Sequence, residues 1–178
     1  MKAAAISTAF LMSVTSVFAQ SATESSGINS ALGVAPSTED FVSQASASDL
    51  FEIEASKLAI QKGDNSIKSF AQTMIADHEK TSIELKALLS SGKVAGTPVT
   101  ALPDNLRESV EELAKLEGTD FNEQYIDDQV EAHENAVALF TRYAEEGENP
   151  ELKAFATKTL PALQHHYKMA QDMDETQP

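Results

Sequence analysis

The chain of 178 residues contains no cysteine and no tryptophan. Without thiols, a disulfide framework, a cysteine nucleophile and a thiolate metal site are all excluded. Basic residues are scarce: 13 Lys and Arg stand against 28 Asp and Glu, a net charge of −15. Such acidity opposes binding to nucleic acid and to anionic membrane surfaces, and its plainest consequence is solubility. Alternating runs and β-branched clusters are few, so strands are not expected, including those of an outer-membrane barrel. No apolar stretch is long enough to span a bilayer as a helix. A Ser-His-Asp pattern, a phosphate loop and a Glu-x-x-His motif are missing too, so nothing in the sequence signals an enzyme.

Residues 1–19 read as a cleavable secretory signal. Lys2 gives the positive start, residues 3–17 an Ala-rich apolar run, and Val17-Phe18-Ala19 a small-x-small-like cleavage site before Gln20. Export to the periplasm is therefore expected, and cleavage removes Lys2 and takes the net charge from −15 to −16. With no cysteine beside the site, a lipid anchor is not expected, and nothing in the chain supports outer-membrane association. Residues 20–37, rich in Ser, Thr, Gly and Asn, read as a disordered linker, and 175–178 as a disordered tail. Residues 38–174 suit one domain with one core.

That domain reads as all-α. Ser37, with Asp40 three residues on, is a capping-box variant opening a helix from about Thr38 to Lys62. Gly63-Asp64-Asn65 stops it and caps a second helix, about Ser66 to Leu89. A loop-like stretch with Gly92, Gly96, Pro98 and Pro103 leads to a short amphipathic helix, about Asp104 to Glu117. A third main helix runs from about Asp120 to Glu146. Asn149 and Pro150 then open a fourth, running to about Met173, in which Pro161 should cause a kink. The expected fold is a four-helix bundle with a short extra helix in the connection between helices two and three. That connection could cross the length of the bundle or cap one end.

Three histidines fall on apolar seams. His78 sits within Ile67, Ala71, Met74, Thr81, Leu85 and Leu88. His133 is central to Ile126, Val130, Val137, Phe140 and Ala144, and His166 lies with Leu152, Ala156, Leu163, Ala170 and Met173. His165 points outward. Glu52 is central on the small, apolar face of the first helix, with Asp49 a possible second carboxylate on the same edge. Counted from the turns, the four side chains are level within about one helical turn. A carboxylate facing a core must be paired, protonated or metal-bound. Glu52, His78, His133 and His166 are accordingly the candidate ligands of one transition-metal ion: zinc, copper, iron or manganese. Three imidazoles and a water would make a catalytic-type zinc site, and Glu52 as fourth ligand a closed one. Asp77 and Glu134 could accept from imidazole N–H groups or be exposed helix carboxylates. Met74, Met169 and Met173 lie near the histidine faces as core fillers or thioether donors. The competing interpretation is a non-metal structural or partner-binding envelope protein whose histidines form a buried polar network.

Phe41, Glu52-Ile53-Glu54, Leu58-Ala59, Lys68-Ser69-Phe70-Ala71, Met74, Asp77-His78, His133-Glu134, Leu152-Lys153-Ala154-Phe155-Ala156 and Leu160-Pro161-Ala162-Leu163 followed by His166 carry a family likeness. Together they resemble domain-of-unknown-function family 4142, over about Glu39 to Ala170. The resemblance implies a ferritin-like helical bundle, export and a bacterial envelope location. It carries over Glu52, His78, His133 and His166 as the family's polar core positions and supplies no activity. Asp49 stands where the family usually has a glycine. The function expected is an exported periplasmic bundle protein binding one metal ion in its core, for storage, buffering or stress protection. A protein partner or homo-oligomer is compatible with the sequence.

Overall fold

The computed structural model describes residues 32–176; the expected signal segment 1–19, most of the expected linker and the last two residues of the expected tail lie outside the described residues. Helices α1 (Thr38–Lys62), α2 (Asn65–Ser90), α3 (Asp104–Leu113), α4 (Gly118–Glu146) and α5 (Pro150–Asp174) follow in order, with no strand among the described residues. The fold is all-α, as expected. Capping residues set the helix starts. Ser37 Oγ accepts from the Asp40 N–H at 3.2 Å and donates to its carboxylate at 2.9 Å. Asp64 Oδ1 accepts from the N–H groups of Ser66 and Ile67, and Asn149 Oδ1 from Leu152. Each cap satisfies N–H groups that the helix itself leaves free. Helix α3 stops at Leu113, short of the expected Glu117. There Lys62 Nζ reaches across to the carbonyls of Ala114 and Leu116 and to the Glu117 carboxylate, giving those carbonyls past the helix end a partner outside a helix.

Contacts between the helix ends fix the topology. The α1–α2 turn meets the start of α4 through Asp64 and Asn122, with bonds of 3.3 and 3.1 Å. The start of α1 meets the end of α4, where Thr38 Oγ1 lies 2.8 Å from the Tyr143 hydroxyl. Helices α1 and α5 thus run one way and α2 and α4 the other. The stretch between α2 and α4 answers the question left open by the sequence, because it runs the bundle's length along α1. Gly96 packs against Val42, the Val99 N–H donates to Ser46 Oγ at 2.9 Å, and Leu116 ends beside Lys62.

The core has two apolar clusters. One holds Phe41, Ala45, Leu85, Ala136, Phe140, Tyr143 and Leu163. The other holds Phe51, Ala55, Met74, Phe121, Tyr125, Ile126 and Ala170. Along α2, α4 and α5, a buried histidine lies between the residues assigned to each cluster: His78, His133 and His166. Asp49 and Glu52 occupy the matching level of α1, and Gln129 joins them from α4. The bundle therefore has a polar layer across its middle. The α4 seam is rotated from the expected one: Tyr125, Gln129, Ala136 and Tyr143 are buried, while Val130, Val137 and Ala144 are half-buried. An inward stripe is at least about 100° wide, and α4 is seated between α1 and α5, which draws the edge nearer Gln129 into the core.

Candidate metal centre

The three seam histidines meet. Their ring centroids form a nearly equilateral triangle with sides of 5.7, 5.6 and 5.5 Å, and each residue is no more than 2 % exposed. In every ring one nitrogen is held from outside and the other is left bare. His78 Nδ1 lies 2.8 Å from Asp49 Oδ1, whose other oxygen accepts from Ser82 Oγ at 3.0 Å. His133 Nδ1 lies 2.9 Å from the Gln129 carbonyl, and His166 Nε2 lies 2.9 Å from Asp77 Oδ2. A carbonyl can only accept, so His133 carries its proton on Nδ1 and presents an unprotonated Nε2. Carboxylates at the other two rings favour the same division. The nitrogens left without a partner are His78 Nε2, His133 Nε2 and His166 Nδ1. One nitrogen from each ring lies within 4.8 Å of the other two.

Electrostatics keep two of the rings neutral. Burial, followed by the charge on His78, pushes His133 down to about 3. Burial also lowers His166, against the opposing hydrogen bond to Asp77. At His78 burial opposes charge most strongly, but the Asp49 hydrogen bond and the nearby charges of Glu52 and Asp49 outweigh it and raise the ring's pKa. His78 is thus the ring of the three that most readily holds a second proton.

Glu52 is 1 % exposed, and burial pushes its carboxyl up to about 7, against the pull of His78. Its Oε1 comes within 3.6 Å of His133 Nδ1, the nitrogen already turned to Gln129. Glu52 does not join the three histidines in the 4.8 Å cluster. The sequence grouped it with them because angle and height agree; the structure sets it to the side, near the outer nitrogen of His133. Asp49 is fully engaged with His78 and Ser82. Asp77, its side chain 46 % exposed, is the partner of His166, whereas Glu134 and His165 are exposed. Met74 is buried in an apolar cluster, with Met169 and Met173 packed at its margin. Sequence reasoning missed Gln129. It lies four residues before His133, on the same face of α4, and a buried amide at that spacing was the available signal.

The model of one protein family, described as Domain of unknown function (DUF4142), matches residues 23–173. No curated protein and no solved structure matches the chain.

Proposed function

We propose, since the chain belongs to the DUF4142 family and that membership brings no activity with it, that it binds one transition-metal ion through His78, His133 and His166. One observation carries this reading: three buried imidazoles, each anchored through one nitrogen and bare at the other, bring one nitrogen apiece within 4.8 Å of the other two. Leaving a buried polar atom unpaired costs about 1–3 kcal/mol, and an ion satisfies all three at once. Metal-bound histidines are characteristically held this way, the second nitrogen donating to a carboxylate or carbonyl. Around a tetrahedral ion with Zn–N bonds of about 2.0–2.1 Å, ligand nitrogens stand roughly 3.3 Å apart, so these rings need to close by at most about 1.5 Å.

Three neutral imidazoles suit zinc or copper, and iron next; with Glu52 outside the cluster the donor set is less suited to manganese. A deeply buried ion fits storage, buffering or protection during metal stress. The signal-like residues 1–19 support the further proposal that the protein works after export, in the periplasm. The polar-network alternative draws support from the Asp49–His78 pair, which satisfies His78 Nδ1 without an ion. It leaves His78 Nε2, His133 Nε2 and His166 Nδ1 without partners.

Elemental analysis of untagged protein from the periplasm, beside a variant with His78, His133 and His166 all changed to alanine, tests the proposal. About one ion per chain in the first and none in the folded second is expected. No metal in either, and none taken up on titration, would leave the polar network as the reading.

A further inference from the structure

Glu52 and Gln129 pose a separate problem beside the histidines. They are 1 % and 0 % exposed, and neither oxygen of Glu52 nor either polar atom of the Gln129 amide completes a hydrogen bond. The amide is near enough to Glu52 to favour its ionised form, so the two side chains share one small region. Both border the triad: Gln129 lies one turn before His133 on α4, and Glu52 Oε1 is 3.6 Å from that ring. Four unsatisfied polar atoms in one buried region would forfeit several kcal/mol, a large fraction of a domain's stability. Glu52 lies outside the cluster that could share an ion, yet beside one of its rings. Three imidazoles also leave a tetrahedral ion one position short.

We propose that Glu52 and Gln129 form a subsite for a small oxygen- or nitrogen-donor molecule (water, hydroxide or a small anion) that takes the ion's fourth position. This rests on the metal reading above. The Gln129 N–H group donates to the bound molecule, and Glu52 or the Gln129 carbonyl oxygen accepts from it when it carries a proton. Such a subsite takes ligands of a few atoms and places a carboxylate and an amide against them. An ion held by the three imidazoles would then keep one position open to a small ligand, with Glu52 and Gln129 bordering it.

Cobalt(II)-loaded protein gives a direct test, because the visible spectrum of cobalt reports its coordination, with sodium azide as the probe at mildly alkaline pH. Wild type should bind cobalt and then change its spectrum on azide titration. Glu52→Gln removes a negative charge next to the bound anion and should tighten azide by about tenfold or more. Gln129→Leu removes the donor and should weaken it by about tenfold. Cobalt uptake with an azide response in Glu52→Gln but none in wild type would make Glu52 itself the fourth ligand and overturn the subsite. Uptake with the same azide affinity in wild type and Glu52→Gln would overturn it as well. Glu52→Gln, close to isosteric, decides the matter should Gln129→Leu fail to fold. Failure of wild type to take up cobalt would remove the metal reading, and the subsite with it; cobalt uptake without an azide response would remove the subsite alone.

Discussion

Glu52→Gln should change how the metal-free protein's stability depends on pH. Burial raises the Glu52 carboxyl from 4.5 to about 7. A group whose folded pKa lies above its unfolded value binds its proton more tightly in the folded state. Its stabilising contribution is present in full below pH 4.5 and is lost as pH rises through about 7. At about 1.4 kcal/mol per pH unit, the loss is roughly 3 kcal/mol. Glutamine has the shape of the protonated acid and no proton to lose. The two proteins should therefore be similar near pH 4.5, and the variant should be the more stable by about 3 kcal/mol above pH 7. His133, held down at about 3, titrates in the opposite sense: its contribution is lost as pH falls from 6.5 toward 3. It is present in both proteins and drops out of their difference. Urea unfolding of chelator-treated protein, followed by far-UV circular dichroism, reads the effect as a divergence of midpoints by roughly 1–2 M. Saturating zinc should shrink it, because a nearby dication holds the carboxylate ionised at little cost. Parallel pH profiles in the metal-free proteins would refute the claim that Glu52 is buried without a partner.

Asp49→Asn leaves His78 with a neutral partner and should weaken metal binding about 10–100-fold in chelator competition, while the equivalent change at exposed Glu134 should leave it unaltered. Metal affinity should fall as pH is lowered, because the Asp49 contact raises His78 and that ring must lose its second proton before it can bind; calorimetry in buffers of differing ionisation enthalpy reads the proton release. His78→Ala should abolish binding and His165→Ala should not, as measured by equilibrium dialysis; equal losses would mean that the exposed ring participates. Gly96 has φ of 148° and would bring a Cβ to 3.0 Å from Val42, so Gly96→Ala should destabilise by more than about 1 kcal/mol in thermal unfolding if the crossover packs along α1.

Helices, their caps and the facing of the histidines were legible because they rest on local rules. A cap needs one side chain and the next few N–H groups, as at Ser37, Asp64 and Asn149. A seam needs only 100° per residue, and counting from a turn gives height at 1.5 Å per residue. Those rules placed His78, His133 and His166 inside and level, and His165 outside. They carry an angular uncertainty as wide as the stripe itself, which is why α4 could be read a residue away from its true centre and Gln129 passed over. They also say nothing about the distance between helices or about side-chain rotamers.

The tertiary structure alone decided the rest. Asp49 and Asp77 differ little on a helical wheel from other carboxylates near a seam; what distinguishes them is an imidazole arriving from another helix at 2.8 or 2.9 Å. The same holds for which nitrogen of each ring is bare, and for Glu52, whose angle and height match the histidines but whose oxygens stop short of their cluster. The path of the connection was undecided in sequence because a chain segment of that length reaches either across one end of the bundle or along its side. Packing of Gly96 on Val42 and the bonds from Val99 and Lys62 settle it along α1. Sequence determines what a residue does relative to its own helix axis; the distances and angles that decide a binding site are set between helices, where no local periodicity reaches.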